Sequence, residues 1–243
     1  MRIMLALDPR ERERLLAATS PVSLEPKQLL YGPGERIDTV YFPENAVVSV
    51  LTTVDGRTTF EVANIGNEGI VGVPVFLGAE TVNARECYQV EIAGQARAMD
   101  VAAFLEAAQH DPLRLLVQRF IQALLLQVSQ RLACAAVHPI RARYSRWLLM
   151  THDRMGDREF PLTQESLAQM LGVRRASVTT AAGALQEAGF IRYSRGRVAI
   201  LDRKGLENAA CECYGIIRSE FDRLLPLPGG PAETRNRADS NRP

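Results

Sequence analysis

Two spacings of hydrophobic residues divide this chain. Between residues 24 and 100, short runs of β-favouring residues alternate with turn residues, a pattern typical of a sandwich or barrel of short strands. Asp55-Gly56, within Val54-Asp55-Gly56-Arg57, is typical of a tight hairpin turn. The predicted strands are Gln28–Tyr31, Thr39–Phe42, Ala46–Thr53, Thr58–Ala63, Cys87–Ile92 and Ala96–Met99.

The spacing becomes helical after residue 100. Asp100 can cap a helix over Val101–Gln109, and Asp111-Pro112 can begin a long helix that reaches about Val137, with Asp111 as its cap. Apolar residues then recur every three or four positions, as in a coiled coil. We favour a dimer seam over packing within one domain, because so long a stripe needs a surface to bury it. The predicted seam is Val117, Ile121, Leu124, Val128 and Leu132.

Residues 162–189 predict two helices joined by a tight turn. Thr163 can cap the first helix, and Gly172 can adopt a positive φ where it ends. The second helix, from about Arg174 to Ala188, exposes basic and hydroxyl side chains in its first half. Such side chains can bind DNA phosphates and base edges, although an ordinary helical hairpin with a basic surface remains the alternative. The predicted contacts are Thr163, Arg174, Arg175, Ser177, Thr179 and Thr180.

Two features beside this segment favour DNA binding. Residues 190–200 predict a β-hairpin around a Ser-Arg-Gly turn, which would form a wing and bring Arg195 and Arg197 to phosphates. Residues 138–205 contain twelve Lys and Arg against six Asp and Glu, a net charge of +6, whereas the whole chain carries +1. Concentrated positive charge is expected of a protein whose partner is a polyanion.

The order of these parts resembles the Crp/Fnr family of bacterial transcription regulators over nearly all of residues 15–205. The motifs are Leu30-Tyr31-x-x-Gly34-Glu35, Val40-Tyr41-Phe42, the long helix from Pro112 and the segment Leu162–Val178. The resemblance implies an α+β fold with an N-terminal β-roll of the cyclic-nucleotide-binding, jelly-roll type. A long dimerisation helix and a C-terminal winged helix-turn-helix follow. The expected boundaries are 1–110, 111–138 and 139–225, with a disordered tail over 226–243.

The same resemblance implies a cytoplasmic homodimer that binds double-stranded DNA and RNA polymerase. Each subunit would place one helix on DNA, so the site should be nearly palindromic. The best-known members read bases with a Glu and an Arg where this chain has Ala176 and Thr180. We therefore expect a different DNA preference, with Arg175 reading a guanine. A sensing module with only incidental DNA affinity remains the alternative function.

In this family the β-roll binds a small-molecule effector, and the sequence of that binding segment differs here from the family's pattern. Members that bind cyclic nucleotides carry a Gly-Glu pair and an Arg-Ser/Thr-Ala triplet. Here the matching segment is Val71-Gly72-Val73-Pro74, which lacks the acid, and the triplet around Arg85 is broken. Without that acid, the ribose hydroxyl groups of a bound cyclic nucleotide would lack a hydrogen-bond acceptor. We expect an effector other than cyclic AMP, or none, and name Gly72, Val73 and Arg85 as candidate pocket residues.

The other reactive residues of the sequence, its cysteines and histidines above all, predict neither an enzyme nor a metalloprotein. Cys211-Glu212-Cys213 could supply two metal ligands, but no further Cys/His pair stands near it in the sequence, so free thiols are expected. We expect no metal, haem or iron–sulfur cluster. His138, before Pro139, is assigned to a hinge or cap. No motif of a phosphate-binding loop or nucleophile indicates catalysis, and no run is apolar enough to predict a membrane span.

Overall fold

The computed structural model describes residues 1–56, 58–156 and 159–227, and two antiparallel sheets form its N-terminal part, called here the roll. The strand orders are β1-β7-β3 and β2-β6-β4-β5. The predicted tail falls almost wholly outside the described residues. The elements of this part are α1 (Arg2–Leu5), α2 (Pro9–Ala17), β1 (Ser20–Leu24), β2 (Leu29–Tyr31), β3 (Thr39–Pro43), β4 (Val47–Val54), β5 (Thr58–Ile65), α3 (Val73–Phe76), β6 (Glu86–Ile92), β7 (Gly94–Asp100) and α4 (Val101–Ala107).

All six predicted strands are present. Asp55 and Gly56 both have positive φ, 54° and 64°, between β4 and β5, which fits the hairpin turn expected there. Asp100 caps α4 by accepting hydrogen bonds from the backbone N–H groups of Ala102 and Ala103. The sequence analysis missed β1, whose sequence Ser-Pro-Val-Ser-Leu buries only its last residue.

A long helix joins the roll to a C-terminal domain. The sheet of that domain has the strand order β8-β10-β9. The elements are the long helix α5 (Leu113–Val137), then α6 (Ile140–Met155), β8 (Glu159–Pro161), α7 (Gln164–Leu171), α8 (Arg175–Glu187), β9 (Ile191–Ser194), β10 (Arg197–Ile200), α9 (Arg203–Ala209) and α10 (Cys213–Leu224).

The start of α5 differs from the prediction. The helix begins at Leu113, with Pro112 rather than Asp111 in the cap position, and the Asp111–Pro112 peptide bond is cis. The prediction of Asp111 as the cap and Pro112 as the first helical residue was therefore wrong, because Pro112 itself precedes the helix. The end of the helix at Val137, two residues before Pro139, agrees with the prediction.

The first half of α5 packs against other parts of the same chain. Val117 and Phe120 are fully buried, and a Cβ on Gly69 would overlap the Phe120 ring. Placing Val117 in a dimer seam was therefore wrong, because this side chain is already fully buried within one chain. Ile121 and Leu124 are half-buried against the same core.

The second half of α5 leaves an apolar stripe uncovered. Leu125, Val128 and Leu132 are exposed by 63%, 37% and 77%. By length and composition alone, α5 is also long and apolar enough to cross a membrane, which corrects the expectation that no run is. That test is equally met by helices that pack in protein cores, and α5 contacts both the roll and α10.

Two buried polar networks join the roll to the helices that follow it. Glu61 of β5 accepts hydrogen bonds from Ser49, Arg131 and Trp147. Arg154 of α6 binds the roll residues Glu68 and Asn64. A buried charge needs a partner, so these pairs fix how α5 and α6 lie on the roll.

Candidate nucleic-acid interface

The predicted helix-turn-helix is formed by α7 and α8. Thr163 Oγ1 accepts a hydrogen bond from Ser166 N at 3.0 Å, and Gly172 ends α7 in the left-handed region with φ 63°. Both roles are those expected from the sequence. Arg174 stands at the N-cap position of α8, and Arg175 is its first residue.

The inner face of α8 is apolar and its outer face carries small polar groups. Val178, Ala181, Ala182 and Leu185 are buried. Arg174, Arg175, Thr179 and Thr180 are exposed, and Ser177 is half-buried. The structure thus places five of the predicted contacts in the first half of one helix. Its N–H groups and arginines make this end of α8 attractive to anions.

Hydrogen bonds orient the two threonines on this face. Thr179 Oγ1 donates to Gln164 Oε1 at 2.8 Å, and Thr180 Oγ1 lies 3.1 Å from the carbonyl oxygen of Ala176. Gln164 therefore ties α7 to α8 and sits beside the predicted contacts. The sequence analysis missed it, although its place directly after the cap residue was a signal.

The predicted wing is the hairpin of β9 and β10, with Arg195 exposed at its tip in a positive-φ turn. A third strand, β8, pairs with β10 and was not predicted. It brings Glu159 to the wing, where the carboxylate accepts a hydrogen bond from Arg197 Nε at 2.6 Å. Arg197 is thus partly neutralised within the chain, whereas Arg195 has no such ion pair among the described residues.

The helix-turn-helix also contacts the roll. Phe60 of β5 packs beside Gly172, and Lys27 Nζ donates to Ser166 Oγ at 2.9 Å and to Glu91 Oε2 at 2.6 Å. Burial raises the pKa of Glu91, and the bond from Lys27 opposes that shift. A cleft between the start of α8 and the β4–β5 hairpin borders the predicted DNA contacts.

A second bond between the same parts comes from the long helix. Arg131 of α5, which binds Glu61 of the roll, also donates to the Met170 carbonyl oxygen at 3.0 Å. One guanidinium therefore joins the roll to α7. The helix-turn-helix is held in place by side chains from both the roll and α5.

The candidate effector residues do not lie together in one environment. Gly72 and Val73 are buried, and a Cβ on Gly72 would approach Tyr31 and Val40. Arg85 is exposed in the turn before β6. On the neighbouring strands β2 and β6, the buried side chain of Tyr31 packs against that of Tyr88, with ring centroids 5.3 Å apart. Aromatic side chains thus occupy the interior next to Gly72.

The expectation that Cys211 and Cys213 have no other Cys or His nearby was wrong. The structure places Cys134 and His138, from the end of α5, beside them. The residues are far apart in sequence, so spacing alone gave no sign of the cluster.

Comparison with known proteins gives the following similarities. Residues 142–209 match the Crp-like helix-turn-helix domain. FixK2 from Bradyrhizobium japonicum is 15% identical, with a TM-score of 0.67 over 79% of this chain and 98% of that chain. A CRP-family transcriptional regulator from Thermus thermophilus is 22% identical, with a TM-score of 0.61 over 78% of this chain and 96% of that chain. No curated protein sequence matches the chain at a significant level.

A third solved structure is the c-di-GMP-responsive regulator CLP of Xanthomonas campestris. It is 17% identical, with a TM-score of 0.61 over 79% of this chain and 99% of that chain. At such identities these likenesses establish the fold, and the match over residues 142–209 establishes the type of helix-turn-helix.

Proposed function

Since this chain has the fold of the CRP/FNR transcriptional regulators and carries their type of helix-turn-helix, we propose that it is a sequence-specific DNA-binding regulator. The observation that carries the proposal is the exposed start of α8, where Arg174, Arg175, Thr179 and Thr180 converge. Its partners are double-stranded DNA, a second copy of the chain and RNA polymerase, in the cytoplasm.

The DNA contacts divide into three roles: reading a base, holding phosphates and completing the surface around the reading helix. Arg175, at the first position of α8, reads a guanine, because a guanidinium can bind that base through two parallel hydrogen bonds. Arg197 can serve DNA only by leaving Glu159, so its contribution should be smaller than that of Arg195. The residues that hold phosphates are Thr163, Arg195 and Arg197, and those that complete the surface around the reading helix are Arg174, Ser177, Thr179 and Thr180.

Selection from random DNA duplexes with the purified full-length protein tests this function. We expect a nearly palindromic winner with half-sites about one helical turn apart. It should bind on the order of 10³-fold more tightly than scrambled DNA. Weak, steeply salt-dependent binding to every sequence would overturn the proposal and favour a sensing module with incidental DNA affinity.

Replacing Arg175 with alanine is expected to cost about 1–3 kcal/mol, and only on duplexes that keep the guanine it reads. Arg195→Ala is the matched control, because it should weaken binding to all sequences about equally and lower the salt dependence by about one charge. Titration of a panel of single-base variants of the selected site measures both effects. Equal weakening by Arg175→Ala on the whole panel would make it a phosphate contact.

The exposed stripe of α5 supports the homodimer. Leu125, Val128 and Leu132 are apolar and open to solvent along the second half of this helix, whereas the apolar face of its first half is already buried within the chain. Isolated exposed apolar residues are ordinary, but a continuous helical stripe marks a contact surface. The interface we propose is the C-terminal half of the predicted seam, with Leu125 in place of Val117.

Leu132→Glu should convert the dimer to a monomer without unfolding it. The side chain is 77% exposed within one subunit, so a carboxylate there costs the folded subunit little, but it cannot be buried in a seam without a large penalty. Leu77→Glu, at a roll residue 65% exposed, is the control and should stay dimeric. Sedimentation equilibrium distinguishes the two states, and a Leu132→Glu variant that remains dimeric would contradict the assigned interface.

We also propose that the effector, where there is one, is not cyclic AMP. The absence of the acid beside Gly72 in the sequence and the tyrosine packing near it support this view. Isothermal titration with cyclic AMP should give no binding heat, whereas stoichiometric binding would contradict it.

A further inference from the structure

Four potential metal ligands converge where α5 ends and α10 begins. The ligand atoms of Cys134, His138, Cys211 and Cys213 all lie within 4.8 Å of one another. Cys134 and Cys213 are fully buried, Cys211 is nearly so, and the three thiols form a small core cluster of their own. Cys134 and Cys211 stand 77 residues apart in the chain, so the fold, not the local sequence, assembles the group.

The spacing of these atoms fits a single tetrahedral ion. Zinc binds cysteine sulfur at about 2.3 Å and histidine nitrogen at about 2.0–2.1 Å, so neighbouring ligands of one ion lie about 3.6–3.8 Å apart. Here Cys134 Sγ is 3.5 Å from Cys211 Sγ, and Cys213 Sγ is 3.5 Å from His138 Nδ1. An iron–sulfur cluster would need its ligands on separate irons, and therefore farther apart.

A second layer of contacts orients two of the ligands. His138 turns Nδ1 toward the cysteines, and its Nε2 lies 3.2 Å from a carboxylate oxygen of Glu212. This arrangement of carboxylate, histidine and ion fixes the ring of a metal-binding histidine. Gln130 Nε2 donates a hydrogen bond to Cys213 Sγ at 3.2 Å, which would stabilise a thiolate.

A buried positive charge adds an independent argument. Arg146 is only 2% exposed, its Nε lacks a hydrogen-bond partner, and no carboxylate pairs with it among the residues that the structure describes. Its side chain lies close to Cys134 and Cys211. One Zn²⁺ with three thiolates and a neutral imidazole carries a net charge of −1. Such a site would supply the anion that Arg146 otherwise lacks.

We propose that Cys134, His138, Cys211 and Cys213 form a tetrahedral Zn²⁺ site that ties α10 to the end of α5. On binding, the three thiols release their protons to solvent and the metal takes the four ligand atoms; no oxidant or reductant is involved. Because the ligands come from two distant segments, the ion holds α10 against the proposed dimerisation helix.

The test uses the full-length protein, reduced and freed of metal, then incubated with Zn²⁺ alone or Co²⁺ alone. We expect one ion per chain after gel filtration, measured by elemental analysis. Co²⁺ should give the strong sulfur-to-metal absorption and the visible bands of a tetrahedral thiolate site. Zn²⁺ should also raise the melting temperature, since it binds only the folded chain tightly.

Variants locate the site. Cys211→Ser and Cys213→Ser should each lower Zn²⁺ affinity by more than about 100-fold, and Glu212→Gln by about 10–100-fold through the histidine. Cys87→Ser, at a half-exposed thiol on β6, is the control and should bind as the original protein does. Circular dichroism checks that each variant is folded.

Two outcomes would overturn the proposal without relying on any variant. In the first, the reduced protein without substitutions retains less than one Zn²⁺ per chain after gel filtration. In the second, the Co²⁺-loaded protein shows no thiolate-to-metal absorption bands. Zn²⁺ binding that survives Cys211→Ser and Cys213→Ser together would overturn it as well.

Discussion

Replacing Trp147 with alanine is expected to lower the free energy of unfolding by about 3–5 kcal/mol. The side chain is fully buried on α6, so its removal leaves a large cavity. Its Nε1 also donates to Glu61 Oε1 at 3.3 Å, in the network that joins α6 to the roll. Urea unfolding followed by far-ultraviolet circular dichroism measures the loss.

Trp147→Phe separates the two contributions. It keeps most of the packing and removes the indole donor, while Ser49 and Arg131 still bind Glu61. We expect it to cost about 1–2 kcal/mol. If Trp147→Ala were as stable as Trp147→Phe, most of the lost stability would not come from packing, and the prediction would be contradicted.

Arg154→Met is expected to cost about 3–5 kcal/mol, because it strands a buried carboxylate. Arg154 Nε donates to Glu68 Oε1 at 2.9 Å, and its Nη1 and Nη2 bind Asn64 and Gln127 at 2.6 and 3.0 Å. Methionine fills similar volume but satisfies none of these acceptors. The same unfolding measurement applies.

Two further variants test that reason. Arg141→Met changes an exposed arginine of the same helix and should alter stability by no more than about 0.5 kcal/mol. Adding Glu68→Gln to Arg154→Met removes the stranded charge and should recover part of the loss. If the double variant is less stable than Arg154→Met alone, the cost does not come from an unpaired carboxylate.

The sequence predicted those parts of the protein that depend on neighbouring residues. Alternation and turn chemistry located six strands, including the hairpin at Asp55-Gly56. Cap residues and Gly172 located the helix-turn-helix, whose type the match over residues 142–209 supports. The short strands β1 and β8 were missed because each exposes most of its residues and is held by pairing with a distant strand.

Features set by contact between distant segments could not be predicted in this way. Periodicity marked Val117 and Leu132 as one stripe of α5, but the fold of the chain buries only the former. Arg131 and Arg154 look like surface charges in the sequence, and only the fold pairs them with Glu61 and Glu68. The approach of Cys211 to Cys134 has the same origin.

The hydrogen bonds between the roll and the helix-turn-helix limit the chimaeras that can be made by replacing one domain of this protein with that of a relative. Lys27 binds Ser166, and Arg131 binds Met170, so each bond joins residues on either side of the break between α5 and α6 at Pro139. A recombination breakpoint at that break would separate each donor from its acceptor. A foreign reading domain grafted there would need an acceptor opposite Lys27 and a small residue at the place of Gly172, where Phe60 packs. A graft at this junction is therefore expected to be less stable than the original chain unless both contacts are rebuilt.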